Sequence, residues 1–214
     1  MAKLPNGVLG NFYGKVGNIV GYTHKGQQCI RQASRKTTKA PTEAQLAQRA
    51  RFSLVGRFLK PINQFLNSLP KKSKNAQARS STAMAQVQRA MVEDGETPRI
   101  DYPEVVLCEG YGGIFDAELT PCPGGFSFRY TIPRWTRLMI EGIHVLVYLP
   151  EYEDWVIEEA RFDGEQVAGT VILEDFMGQT SAEVFAIGKY CRGTKVTNSV
   201  YSGSVLITAS TNPE

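Results

Sequence analysis

From about Asp101 to the end of the chain, apolar residues recur at every second position in short runs. Phe126, Phe128, Tyr130 and Ile132 alternate, as do Ile143, Val145, Val147 and Leu149. A period of two belongs to a strand, whose successive side chains point to opposite faces. Turn-forming clusters at Pro121-Cys122-Pro123-Gly124-Gly125 and at Asp163-Gly164 break the runs. Further strands are expected over 105–109, 113–119, 155–162, 167–173, 182–188 and 200–209. Seven or eight short strands in about 110 residues predict an immunoglobulin-like antiparallel β-sandwich for 101–214. Trp155 or Trp135 is expected to fill its core. The cysteines do not follow the Cys…Trp…Cys pattern of an antibody domain, so the prediction concerns architecture and not ancestry.

The preceding residues obey a different period. After Pro41, Thr42 with Gln45 three positions later forms a capping box, and Glu43 puts negative charge in a first helical turn. Leu54, Val55, Phe58, Leu59, Ile62, Phe65, Leu66 and Leu69 then recur at helical spacing. Pro61 sits within that stripe and is expected to kink or divide the helix, since its ring and missing N–H disrupt the turn before it. Residues 71–81 read as a polar basic loop, and a second helix is expected from about Thr82 to Val92. Residues 1–40 hold Gly7, Gly10, Gly14, Gly17, Gly21 and Gly26 among Phe12, Tyr13, Ile19, Val20 and Tyr22. This favours short strands and turns over helix, with a hairpin of 18–24 and 27–32 turning at Lys25-Gly26. A hairpin that small is marginal alone in water and needs something to lie on. The expected fold is therefore α+β, mainly β: a Gly-rich basic hairpin arm (1–40), a basic helical segment (41–100) and an acidic sandwich (101–214).

Charge follows the same division. Residues 1–100 carry 17 Lys and Arg against 4 Asp and Glu, a balance of +13, and residues 101–214 carry 7 against 17, a balance of −10. A basic field attracts polyanions, because phosphate contacts supply most sequence-independent nucleic-acid affinity. Two oppositely charged modules on one chain also attract each other head to tail, and contacts of that kind build rings or filaments. The candidate contact residues for either use are Lys15, Lys25, Arg31, Arg35, Lys36, Lys39, Arg49, Arg51 and Arg57. Self-association is the stronger reading, because it accounts for both the charge division and an arm whose strand edges are free to pair.

No residue set announces an enzyme. Gly14-Lys15-Val16-Gly17 lacks the spacing and following helix of a phosphate-binding loop. The carboxylates of Glu151, Glu153, Asp154, Glu158 and Glu159 adjoin strand ends, where acidic residues are usually solvated. Cys29, Cys108, Cys122 and Cys191 form no Cys-x-x-Cys pair, and His24 and His144 are far apart, so free thiols and no metal or cofactor are expected. The start, Met-Ala-Lys-Leu-Pro-Asn-Gly, has no signal-like apolar run, and no stretch is long enough to span a membrane. A cytoplasmic protein, or one inside a particle assembled there, is expected.

The order Gly7-Val8-Leu9-Gly10, Gly14-Lys15-Val16-Gly17, Val20-Gly21, Lys25-Gly26 and Arg31 leads into Thr42-Glu43-Ala44-Gln45 and Gln48-Arg49-Ala50-Arg51-Phe52. With Asn198-Ser199-Val200-Tyr201 near the end, this resembles an uncharacterised bacterial family of about this length marked by the Thr-Glu-Ala-Gln motif. The resemblance implies no activity and no residue role. By analogy of size and build, its members look like intracellular or phage-type structural components.

Overall fold

The computed structural model describes residues 12–24, 26–35, 39–71, 78–94, 97–112, 116–131, 139–161, 166–173, 176, 178–191 and 195–209. The fold is α+β and mainly β, built of several antiparallel sheets and three helices. Its contacts divide it into two units, Met1–Thr42 and Glu43–Glu214.

The first unit is a three-stranded sheet of β1 (Gly14–Val16), β2 (Ile19–His24) and β3 (Gln27–Gln32), in that order. The hairpin expected from the sequence thus has a third strand, joined through Gly17-Asn18. Gly17 and Gly26 take φ values of 56° and 81°, the left-handed conformations that two-residue hairpin turns need. Gly21 serves closeness instead. A Cβ there would lie 2.4 Å from the Phe12 carbonyl oxygen and 2.8 Å from its ring.

In the second unit, α1 (Glu43–Leu59) starts where the capping pattern predicts. It stops just before Pro61, and α2 (Asn63–Ser68) resumes beyond it. The third helix, α3 (Arg79–Arg89), begins three residues earlier than expected. A short hairpin of β4 (Met91–Asp94) and β5 (Thr97–Ile100) follows, where the sequence predicted the end of a helix. Seven strands come next: β6 (Asp116–Cys122), β7 (Gly125–Thr131), β8 (Ile140–Leu149), β9 (Asp154–Arg161), β10 (Gln166–Ile172), β11 (Gln179–Tyr190) and β12 (Val196–Thr208). They form one sheet in the order β10-β7-β6 and another in the order β12-β11-β8-β9, with every pairing antiparallel. Residues 105–110 are not a regular strand. They run beside β12, where the Ser199 amide donates to the Cys108 carbonyl and the Ser199 hydroxyl accepts from the Leu107 amide.

The four-stranded sheet is buried on both faces. Toward the smaller sheet it presents Ile143, Val145, Val147, Ala182, Val184, Ala186, Val205 and Ile207, which pack with Phe126, Phe128, Tyr130, Val167 and Val171. Toward the helices it presents Leu146, Tyr148, Trp155, Phe185 and Ile187, packed with Val55, Phe58, Leu59, Ile62, Leu66, Ala83 and Val87. Each fully buried Leu, Ile or Phe contributes about 1.5–3 kcal/mol to such a core. Trp155 lies in the helix-facing core, where its Nε1–H donates to the Phe58 carbonyl at 2.7 Å and its ring meets that of Phe58 at 5.0 Å. Trp135 lies outside the described residues. All four cysteines are free.

Candidate functional site

The three-stranded sheet has two chemically different faces. Pairing sets Lys15 opposite Val20 and Val20 opposite Arg31, so those side chains form one row across the three strands. By alternation Tyr13, Tyr22 and Cys29 share that face. The Arg31 guanidinium lies 5.8 Å from the centre of the Tyr22 ring, within reach of a cation–π attraction. The opposite face carries Val16, Ile19 and Ile30, which are 48%, 42% and 60% exposed. Among the described residues of 12–42 only Gly21 is buried. This sheet has no core of its own.

Exposure continues into the first turns of α1. Every residue from Glu43 to Ala50 is exposed, including Leu46, and Phe52 follows them. The sequence-predicted basic residues scatter over these elements. Lys15 and Arg31 are exposed on the sheet, Arg35 and Lys39 are exposed beyond it, and Lys25 and Lys36 lie outside the described residues. On α1, Arg51 stands about 200° and Arg57 about 80° around the axis from Arg49, so the three arginines form no single stripe. Arg49 is exposed and Arg51 half-buried. Arg57 pairs with Glu153 at 2.9 Å, and Glu153 reaches it from a left-handed backbone conformation with φ of 52°. That ion pair is exposed at both ends and adds little stability. It does occupy Arg57 with one of the acidic residues of the same chain.

Arg79 has a structural role that counting basic residues did not reveal. It is buried, and its Nε donates to the Pro70 carbonyl at 2.9 Å while Nη1 donates to the Glu109 carbonyl at 2.5 Å and to Cys108 Sγ at 3.0 Å. A second donor, Nη2, also faces Pro70. Burial pushes the Cys108 thiol up to about 11, against a smaller downward pull from the Arg79 charge. The sequence did contain a signal. Arg79, Ala83 and Val87 are spaced i, i+4 and i+8, which puts the arginine on the apolar stripe of its own helix.

These elements lie in one stretch of sequence. Residues 11–114 match the Family of unknown function (DUF6266). The DUF6266 region takes in the Gly14–Gly17 segment, the Thr-Glu-Ala-Gln motif, all three helices and the β4–β5 hairpin. It ends before β6, so the later Asn198–Tyr201 segment lies outside it. No curated protein matches the chain. Among the described residues no helix is long and apolar enough to cross a membrane, and no three His, Cys, Asp or Glu residues stand close enough to hold a metal ion.

Proposed function

We propose that this is a non-enzymatic structural protein that assembles with copies of itself, as a filament, a phage-type particle or another homopolymer. The observation that carries this reading is the coreless sheet of residues 12–32. Three strands need a covered hydrophobic face for stability, and Val16, Ile19 and Ile30 are open to solvent in the single chain. A neighbouring copy supplies the missing cover, with residues 1–40 acting as an arm. Leu46 and Phe52 on α1 are exposed as well, and the opposite charges of the two halves favour a head-to-tail approach.

The body then serves as the repeating unit. Lettering β6 to β12 from A to G gives sheets E-B-A and G-F-C-D. This is the immunoglobulin constant-type division with strand D moved beside C, and it supports an immunoglobulin-like sandwich whose second sheet also carries the helices. The test is light scattering of purified, nuclease-treated protein across a salt series, with absorbance at 260 and 280 nm recorded for each species. Nucleic-acid-free particles of many subunits that dissociate as salt rises are expected. A monomer at high concentration and low salt overturns the proposal.

The other face of the sheet favours a second reading. Tyr13 and Tyr22 beside Lys15 and Arg31 combine stacking rings with phosphate-binding charge, as single-stranded nucleic-acid surfaces do. Salt-dependent affinity for a single-stranded oligonucleotide supports that reading, and no affinity at low salt removes it.

A further inference from the structure

A cleft of about 530 Å³ opens beside the helix-facing side of the four-stranded sheet, lined among others by Asp101, Tyr102, Tyr148, Glu183 and Tyr201. Its volume falls in the usual range for small-ligand sites. Glu183 is the unusual member. On β11 it continues the row of Phe185 and Ile187, and it pairs across the sheet with Tyr148 on β8. An apolar residue is expected there, yet the position holds a carboxylate that is only 8% exposed. The Tyr201 hydroxyl donates to Glu183 Oε2 at 2.6 Å. The carboxylate can accept from further donors, and it borders the cleft.

We infer that this cleft binds a guanidinium or primary ammonium head on an apolar stem, with Glu183 as its counter-ion and the surrounding tyrosines as its walls. The rings suit such a ligand. Tyr102 and Tyr148 stand 5.7 Å apart with Phe58 against both, and aromatic faces attract cations most where water is excluded. Asp101 adds a second carboxylate to the lining, and the exposed Arg99 lines the cleft as well, leaving the described lining with one more negative than positive charge. With these two the only carboxylates among the described lining residues, an organic cation fits better than a metal ion, which takes six or more oxygen ligands if it is calcium. The negative charge of Glu183 already acts on Tyr102 and Tyr201, helping burial to hold both phenols protonated.

The head group belongs either to a free small cation or to an arginine or lysine side chain of another copy. The probe is n-butylguanidinium, titrated into the full chain and followed by tryptophan fluorescence, because the Trp155 ring lies 5.0 Å from that of Tyr148. Saturable binding is expected for this probe and not for n-butylurea, its uncharged counterpart in shape. Glu183→Gln is expected to weaken binding at least about tenfold, the worth of a hydrogen bond to a charged group. If bound butylguanidinium also reduces particle size in light scattering, the natural head group comes from a neighbouring copy. If size is unchanged, it is a free small cation. Equal binding of the urea and the guanidinium overturns the inference, as does no saturable change with either, and both tests need only the wild-type protein.

Discussion

Replacing Arg79 with Met keeps the apolar stem of the side chain and removes every donor. The Pro70 and Glu109 carbonyls, which accept from the guanidinium at 2.9 and 2.5 Å, lose that partner in a region that is largely closed to water. Each acceptor left unsatisfied costs about 1–3 kcal/mol, partly offset because the buried guanidinium no longer has to be desolvated. A net loss of about 3 kcal/mol is expected. With a urea m-value of about 2 kcal/mol/M, that loss lowers the unfolding midpoint by about 1.5 M. Urea titration followed by tryptophan fluorescence measures the shift. The Arg79 charge also draws the Cys108 thiol downward, so the variant thiol should titrate higher and react more slowly with an alkylating reagent in the folded state. A midpoint within about 0.3 M of wild type, which is under about 1 kcal/mol, would refute the structural role and return Arg79 to the field of basic surface residues.

Gly21→Val places a side chain where Phe12 lies and should dismantle the three-stranded sheet. Particle formation is then lost, with the main thermal transition of the body unchanged by calorimetry. Trp155→Phe removes the donor to the Phe58 carbonyl and part of a buried ring, and should lower stability by about 1–3 kcal/mol in urea titration. His144 packs against Phe65 with ring centres 5.1 Å apart, and burial holds its pKa below the ordinary 6.5, opposed by the nearby Glu159 charge. Its neutral form is the one that folding favours. Stability from this group is therefore present above pH 6.5 and declines as pH falls from there toward the folded pKa, because the unfolded chain takes up the proton first. His144→Gln should flatten that decline in thermal midpoints measured between about pH 7 and 5.

Period and punctuation made most of the elements legible. The strands from β6 to β12 fall within a few residues of the expected runs, and Pro61 separates α1 from α2 as its chemistry requires. What went unread was the double duty of the four-stranded sheet. Ile143, Val145, Val147 and Leu149 do alternate, but Leu146 and Tyr148 fill the gaps, and Ala182 to Ile187 is apolar except for Glu183. A near-continuous apolar run marks a strand covered on both faces, which is where the helices pack. Tracing one parity alone concealed that cover, and with it the environment of Trp155. The short β1 strand was read only as glycine spacing, so the two faces of the small sheet had no register from which to be drawn. Charge counting grouped Arg79 with the exposed arginines, because a formal charge carries no record of which helical stripe it occupies.

The bond from Trp155 to the Phe58 carbonyl closes 97 residues of chain. At a synthesis rate of about 5–20 residues per second, α1 leaves the ribosome roughly 5–20 s before its partner on β9 exists. Phe185 and Ile187 on β11 arrive later still. Through that interval the basic helices have an apolar stripe with nothing to dock against, and the three-stranded sheet has already emerged. Newborn chains on one polysome therefore display their N-terminal segments to each other before any of them owns a finished body. In the proposed assembly, the order of synthesis lets association begin before the body has folded.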